Sequence, residues 1–331
     1  MTDQSLLWIS AWVMVLGLTW GPVLPVAAGD SQPRFRAIDR ATVHLTGNTL
    51  GLSGAASQNG PGIRDSVHTF IAAPGRVDNV PSNPANPWFD GTTFDWTDNE
   101  SMAMLQLPSG SEVLYAELIW GGSFNYAGED VSANLEDSIT LTTPAGPMAV
   151  APDPATGRTI SLTAANGLPA NYYLRSAEVT QVVIDGGSGA YAVGAVPGTQ
   201  NELSNNFDAA GWSLIVVVRR DDFACQRVQF DLVGTWIDKT RSTVVSISEL
   251  NTPAGGSVTG SLLTGALEGD VNFNGDSLSI REAASANFVA LSTPGNPADN
   301  FYASQINDRN GNLDSSGSFG NRNHDAQSAS P

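Results

Sequence analysis

The sequence predicts an all-β protein: an antiparallel two-sheet β-sandwich of jelly-roll type, carrying one or two short helices. Three observations point there. Charged residues are only 15% of the chain, while glycine numbers 34 and proline 19. That composition suits short strands joined by many turns and not a helix bundle. Apolar residues make up 41% of 331 positions, enough to bury a large core. Residues 212–218 (WSLIVVV) are continuously apolar and rich in β-branched side chains, the pattern of a strand covered on both faces.

The elements follow in chain order. Residues 6–18 (LLWISAWVMVLGL) form a 13-residue apolar run, short of the roughly 20 residues a spanning helix needs. Val26, Ala27 and Ala28 follow, small residues that suit signal-peptidase cleavage before Gly29. Residues 1–28 are therefore expected to be an export signal that leaves no membrane span in the mature chain. Its first residues carry Asp3 and no lysine or arginine, which a start codon further upstream would explain; an uncleaved anchor is the alternative. Residues 29–40 read as a polar lead-in, and residues 41–313 as the sandwich body. A split near residue 239 into two sandwiches is the alternative division.

Within the body, strands are expected at 41–52, 102–107, 113–120, 212–218 and 228–236, with weaker ones at 244–247 and 257–263. The segment 113–120 (VLYAELIW) is apolar on both faces except for Glu117. In 228–236, Val228, Phe230, Leu232 and Trp236 face one way, and Gln229, Asp231 and Thr235 the other, as in a half-buried antiparallel strand. Turn clusters rich in Gly, Pro, Asn and Asp separate these runs, at 59–62, 80–88, 144–147, 185–189, 253–256 and 294–297. Short helices are expected at 176–184 and 280–288. Residues 314–331 are rich in Ser, Asn, Asp and Gly, and read as a solvated tail or the start of a linker.

Charge narrows the partners. Asp and Glu number 33 against 15 Lys and Arg, a net charge of −18. Nucleic acid is excluded on that ground, since binding phosphate needs clustered basic residues. The acidity serves solubility, or some of the carboxylates meet cations. Cys225 is the one cysteine, so no disulfide closes within the chain. Burial is expected for it, because an exposed thiol is a liability outside the cell.

Two segments place side-chain oxygens at alternate positions: Asp308, Asn310, Asn312 and Asp314, and Asp270, Asn272, Asn274 and Asp276. Calcium takes six to eight oxygen ligands, and a tight loop can deliver several, so Ca²⁺ is the cofactor these segments suggest. The second segment begins like an EF-hand loop but has Arg281 where a glutamate would close it. The plainer reading of both is that Asn, Asp and Gly form turns. Residues 88–96 (WFDGTTFDW) hold Trp88, Asp90, Asp95 and Trp96, a composition that stacks on sugar rings and bonds their hydroxyls. Aromatic rings more often simply fill a core. Catalytic signatures are missing. The histidines are His44, His68 and His324, and only His68 is placed to act as a base. Neither a G-x-S-x-G elbow, an H-E-x-x-H pair nor a phosphate-binding loop occurs. Glu117, Glu129 and Asp130 could supply the carboxylate pair of a glycosidase. No catalytic residue is assigned.

Several segments, in order, resemble the head region of large secreted surface proteins of Gram-negative bacteria. They are 45–53 (LTGNTLGLS), 116–122 (AELIWGG), 128–133 (GEDVSA), 175–180 (RSAEVT), 189–199 (GAYAVGAVPGT), 210–217 (AGWSLIVV), 266–270 (ALEGD) and 300–307 (NFYASQIN). In that family the head often precedes tandem immunoglobulin-like or prealbumin-like repeats. Here the sequence stops at Pro331, which suggests a stand-alone version or a truncated product. The resemblance implies a secreted or cell-surface location, a structural or adhesive role and no catalytic residues. An extracellular glycan or a surface protein would be the partner. A carbohydrate-binding module is the second reading, and a glycoside-active enzyme the third.

Overall fold

The apolar run at 212–218 becomes the strand Ala210–Arg219 of the computed structural model. The structure describes residues 6–12, 14–15, 27–28, 31–52, 67–76, 91–126, 128–163, 169–200, 208–237, 242–247, 259–267, 274–281, 286–307, 312–318 and 325–329. Side chains alternate across a strand, and here both faces are dry. Trp212, Leu214, Val216 and Val218 enter one apolar cluster, and Ile215 and Val217 enter another. The two neighbouring strands, Glu112–Tyr126 and Ala41–Thr49, both run antiparallel to it. Pro169–Glu178 and Arg158–Thr163 extend the sheet beyond the long strand. Glu129–Asp130 turns back onto its end.

A four-stranded antiparallel sheet covers one face of this middle sheet. Its order is Gly146–Val150, Ile139–Thr143, Gly189–Gly194, Glu100–Leu105. It contributes Ala103, Leu105, Ile139, Leu141, Tyr191 and Val193 to the first cluster. Polar side chains also fasten the two layers: Thr46 Oγ1 donates to the Met104 carbonyl at 3.0 Å, and Asn48 Nδ2 to that of Met102 at 2.9 Å. Trp212 is fully buried between them and donates from Nε1 to Ser101 Oγ at 2.9 Å.

The opposite face meets a five-stranded sheet ordered Asp325–Ala329, Thr259–Ala266, Leu6–Trp12, Gln226–Val233, Ser31–Asp39. Phe35, Val228, Phe230, Leu232 and Leu263 pack from it against Tyr115, Ile119, Tyr172, Leu174, Ile215 and Val217. The predicted all-β sandwich thus forms, and its middle sheet is covered on both sides, so the layers number three. Within the outer sheet, Leu6–Trp12 runs parallel to both of its neighbours. Among the described residues, no helix is long and apolar enough to cross a membrane.

Several expectations are corrected. The strand at 226–233 is not half-exposed: Gln229 and Asp231 are each 1% exposed. Their burial is tolerated because Gln229 Nε2 donates to Asp231 Oδ2 at 2.5 Å and Ser31 Oγ to Asp231 Oδ1 at 3.2 Å. The polar lead-in supplies the strand Ser31–Asp39, paired with Gln226–Val233. The helix expected at 176–184 starts late, at Thr180–Gly186, because residues up to Glu178 finish a strand. Of the helix expected at 280–288, Ile280 instead ends a strand, Ser279–Ile280 pairing Val289–Ala290, and residues 281 and 286–288 are irregular; residues 282–285 lie outside the described residues. Cys225 is exposed; it ends the loop before Gln226, where the strand's first inward position is not yet reached. In the segment read as a solvated tail, Ser318 accepts from the Met102 N–H at 2.9 Å and Asp325–Ala329 pairs with Thr259–Ala266.

Candidate functional site

Two buried carboxylate centres lie along the long strand Glu112–Tyr126. The first is Glu117, fully buried on the face that carries Tyr115, two residues before it. Arg34, from the lead-in strand, forks onto it: Nε to Oε1 at 3.1 Å and Nη2 to Oε2 at 3.3 Å. Two-pronged arginine–carboxylate contacts of this kind are among the stronger hydrogen bonds in proteins. Ser176 Oγ donates to Oε1 at 2.5 Å, and the Tyr115 hydroxyl donates to Oε2. Burial, the Glu117 charge and the hydrogen bond to it push the Tyr115 hydroxyl well above its ordinary range, so it stays a donor. The Arg34 guanidinium also reaches Asp153 Oδ2, 3.0 Å from Nη1. The centre thereby ties the outer sheet to the middle sheet and to the 151–157 turn.

The second centre is Asp208, 1% exposed, with Ser123 and Thr199 fully buried beside it. Its position follows from local backbone. Gly122 has no side chain, and a Cβ there would strike the Ala209 carbonyl. The segment entering Ala210–Arg219 can therefore close onto the long strand, where the Ser123 N–H donates to the Ala209 carbonyl at 2.8 Å. Thr199 Oγ1 donates to Asp208 Oδ1 at 2.6 Å, and Ser123 Oγ lies 3.5 Å from the same oxygen. Glu129 Oε2 accepts from the Gln200 N–H at 2.8 Å. Burial pushes the Asp208 carboxyl up to about 7, helped by the Glu129 charge and opposed by the two hydroxyl contacts. Burial raises Glu129 as well, against the Gln200 N–H.

The carboxylate pair proposed for sugar hydrolysis is not brought together. Glu129 pairs with Tyr126, nine positions along the strand from Glu117, or about 30 Å at ~3.3 Å per residue. Glycosidase carboxylates stand about 5–9.5 Å apart. Asp130 accepts from the Ser132 N–H and Asn125 Nδ2, both at 2.9 Å. His68 is buried, at 6% exposure.

The other sequence candidates are placed as follows. Trp96 packs partly buried against the first apolar cluster. Asp95 accepts from the Thr97 N–H at 2.9 Å, capping the one-turn helix Trp96–Asp98. Trp88 and Asp90 lie outside the described residues. Asp276 Oδ2 accepts from the Tyr302 N–H at 2.7 Å, and Asn274 is exposed. Asp314 Oδ1 accepts from the Ser316 N–H at 2.9 Å, and Asn312 is exposed. Asp270, Asn272, Asp308 and Asn310 lie outside the described residues. Among the described residues, no three His, Cys, Asp or Glu side chains gather as a metal cluster.

Sequence reasoning missed Asp208, Ser123, Thr199 and Gln200 altogether. A signal was present. Glu129 and Thr199 belong to the segments 128–133 and 189–199, Gly122 closes 116–122, and Asp208 precedes 210–217. Four of the segments noted for their resemblance converge on this centre. Neither a family model, nor a curated protein, nor a solved structure matches the chain.

Proposed function

We propose that the chain is a secreted or cell-surface β-sandwich module with a structural or adhesive role and no catalytic one, the head region of a bacterial surface protein. The observation that carries this reading is the state of Glu117. The charged residue most suggestive of chemistry accepts from Arg34, Ser176 and Tyr115, and so joins strands instead of facing a substrate. Asp95 and Asp314 likewise accept backbone N–H groups of their own loops, and Asp276 accepts that of Tyr302 from a separate loop. Export through residues 1–28 and an extracellular glycan or surface protein as partner belong to the same reading.

The test is localisation with function. A tagged full-length chain is expressed in a Gram-negative host, and intact cells are treated with external protease. Digestion or release of the tag, with an N-terminus beginning near Gly29, is the expected result. A cytoplasmic chain that keeps Met1 would overturn the reading. So would glycoside turnover by the wild type that Glu117→Gln abolishes.

A further inference from the structure

The Asp208 centre lacks a positive partner. Both hydroxyl contacts fall on Oδ1. Asp208 Oδ2 and Gln200 Oε1 are shielded from solvent and have no hydrogen-bond partner among the described residues. Both are acceptors, so what they lack is an electron-poor neighbour. Buried charge without such a neighbour is strongly disfavoured. Neither Asp208 nor Glu129 has a cationic side chain among the groups that act on it. Every side-chain ligand at hand is an oxygen of a carboxylate, an amide or a hydroxyl. Hard divalent cations select such a set, and soft ones do not. A proton on Asp208 is the competing occupant, and the response of stability to pH and to Ca²⁺ separates the two.

We propose that Asp208, Glu129 and Gln200, backed by the Ser123 and Thr199 hydroxyls, form a calcium site. The ligands are Asp208 Oδ2, Gln200 Oε1 and the Glu129 carboxylate. The bound ion joins the turn at Glu129 to the segment 199–200 and the nearby entry to Ala210–Arg219. This site is distinct from the oxygen-rich loops around Asp276 and Asp314. It does not depend on where the protein acts.

The test uses the full chain, stripped with chelator and then titrated with CaCl₂. A ligand that binds only the folded state raises Tm of a chain this size by roughly 4 °C at 100-fold excess over Kd. That rise is expected in wild type and in Asp276→Asn and Asp314→Asn, and is lost in Asp208→Asn. Gln200→Leu keeps both carboxylates and weakens Ca²⁺ binding at least tenfold in calorimetric titration, so the site stays testable if Asp208→Asn fails to fold. Three results overturn the proposal: no rise in wild type, a rise retained in Asp208→Asn, or Gln200→Leu binding Ca²⁺ as wild type does. Stability that responds to pH but not to Ca²⁺ assigns the site to a proton and also overturns it.

Discussion

Glu117 and Asp208 are two buried carboxylates beside the same strand, and they are treated in opposite ways. Glu117 has an arginine, a serine and a tyrosine turned towards it. Asp208 has two hydroxyls on one oxygen, none on the other, and a second carboxylate as its electrostatic neighbour. A buried charge persists when it is paired, and neutralises or takes up a partner when it is not. The first centre is complete within the chain, so its worth lies in stability. The second is completed from outside, so its state follows the solution.

The sharpest way to break this contrast is to remove the partner that Glu117 has. Arg34→Met leaves a carboxylate stranded in the core. Urea denaturation should show a loss of about 3–5 kcal/mol, as expected when one member of a buried pair is deleted. A smaller loss would mean that the centre is less closed than its geometry suggests. Ser176→Ala removes one donor and leaves the arginine in place. A loss of about 1.5–3 kcal/mol is expected for a hydrogen bond to a charged acceptor.

Acidity separates the two centres next. Asp208 has an ordinary value of 3.8 and is held at about 7 in the fold. Between those values the native chain holds a proton that the unfolded chain has released. Stability from this group is therefore complete below pH 4 and declines as pH rises to about 7. The decline is about 1.4 kcal/mol per pH unit, and it levels off above pH 7. The difference between wild type and Asp208→Asn, both in chelator, should show this slope, and saturating Ca²⁺ should flatten it. The smallest effect lies far from both centres. Cys225 is exposed, so maleimide should label it in the native state with no change in Tm.

Parts of this were legible in the residues. The run WSLIVVV could only be a strand covered on both faces, and its alternate side chains do feed two separate clusters. Glu117 stood out as the one charged residue in an apolar segment. Its partner did not, because Arg34 lies 83 positions away in a stretch with no apolar pattern. Alternation at 228–236 was misleading. It correctly put Val228, Phe230 and Leu232 inward, but polar character on the other face was taken for solvent exposure. Gln229 Nε2 donates to Asp231 there instead of meeting solvent. The Asp208 centre, like Arg34 with Glu117, is assembled over long separations that no local spacing encodes, so four separate segments mark it only once they are brought together.

The strand Leu6–Trp12 sits between Gln226–Val233 and Thr259–Ala266, parallel to each. It is also the apolar run that export machinery would recognise. If a peptidase cuts near Ala28, those two strands lose the neighbour they share. They are left about 10 Å apart, two strand spacings, with facing rows of unpaired N–H and C=O groups. Cleavage would then be a refolding event for the outer sheet as well as the end of transit. On that reading the two freed edges would either meet each other or capture another strand.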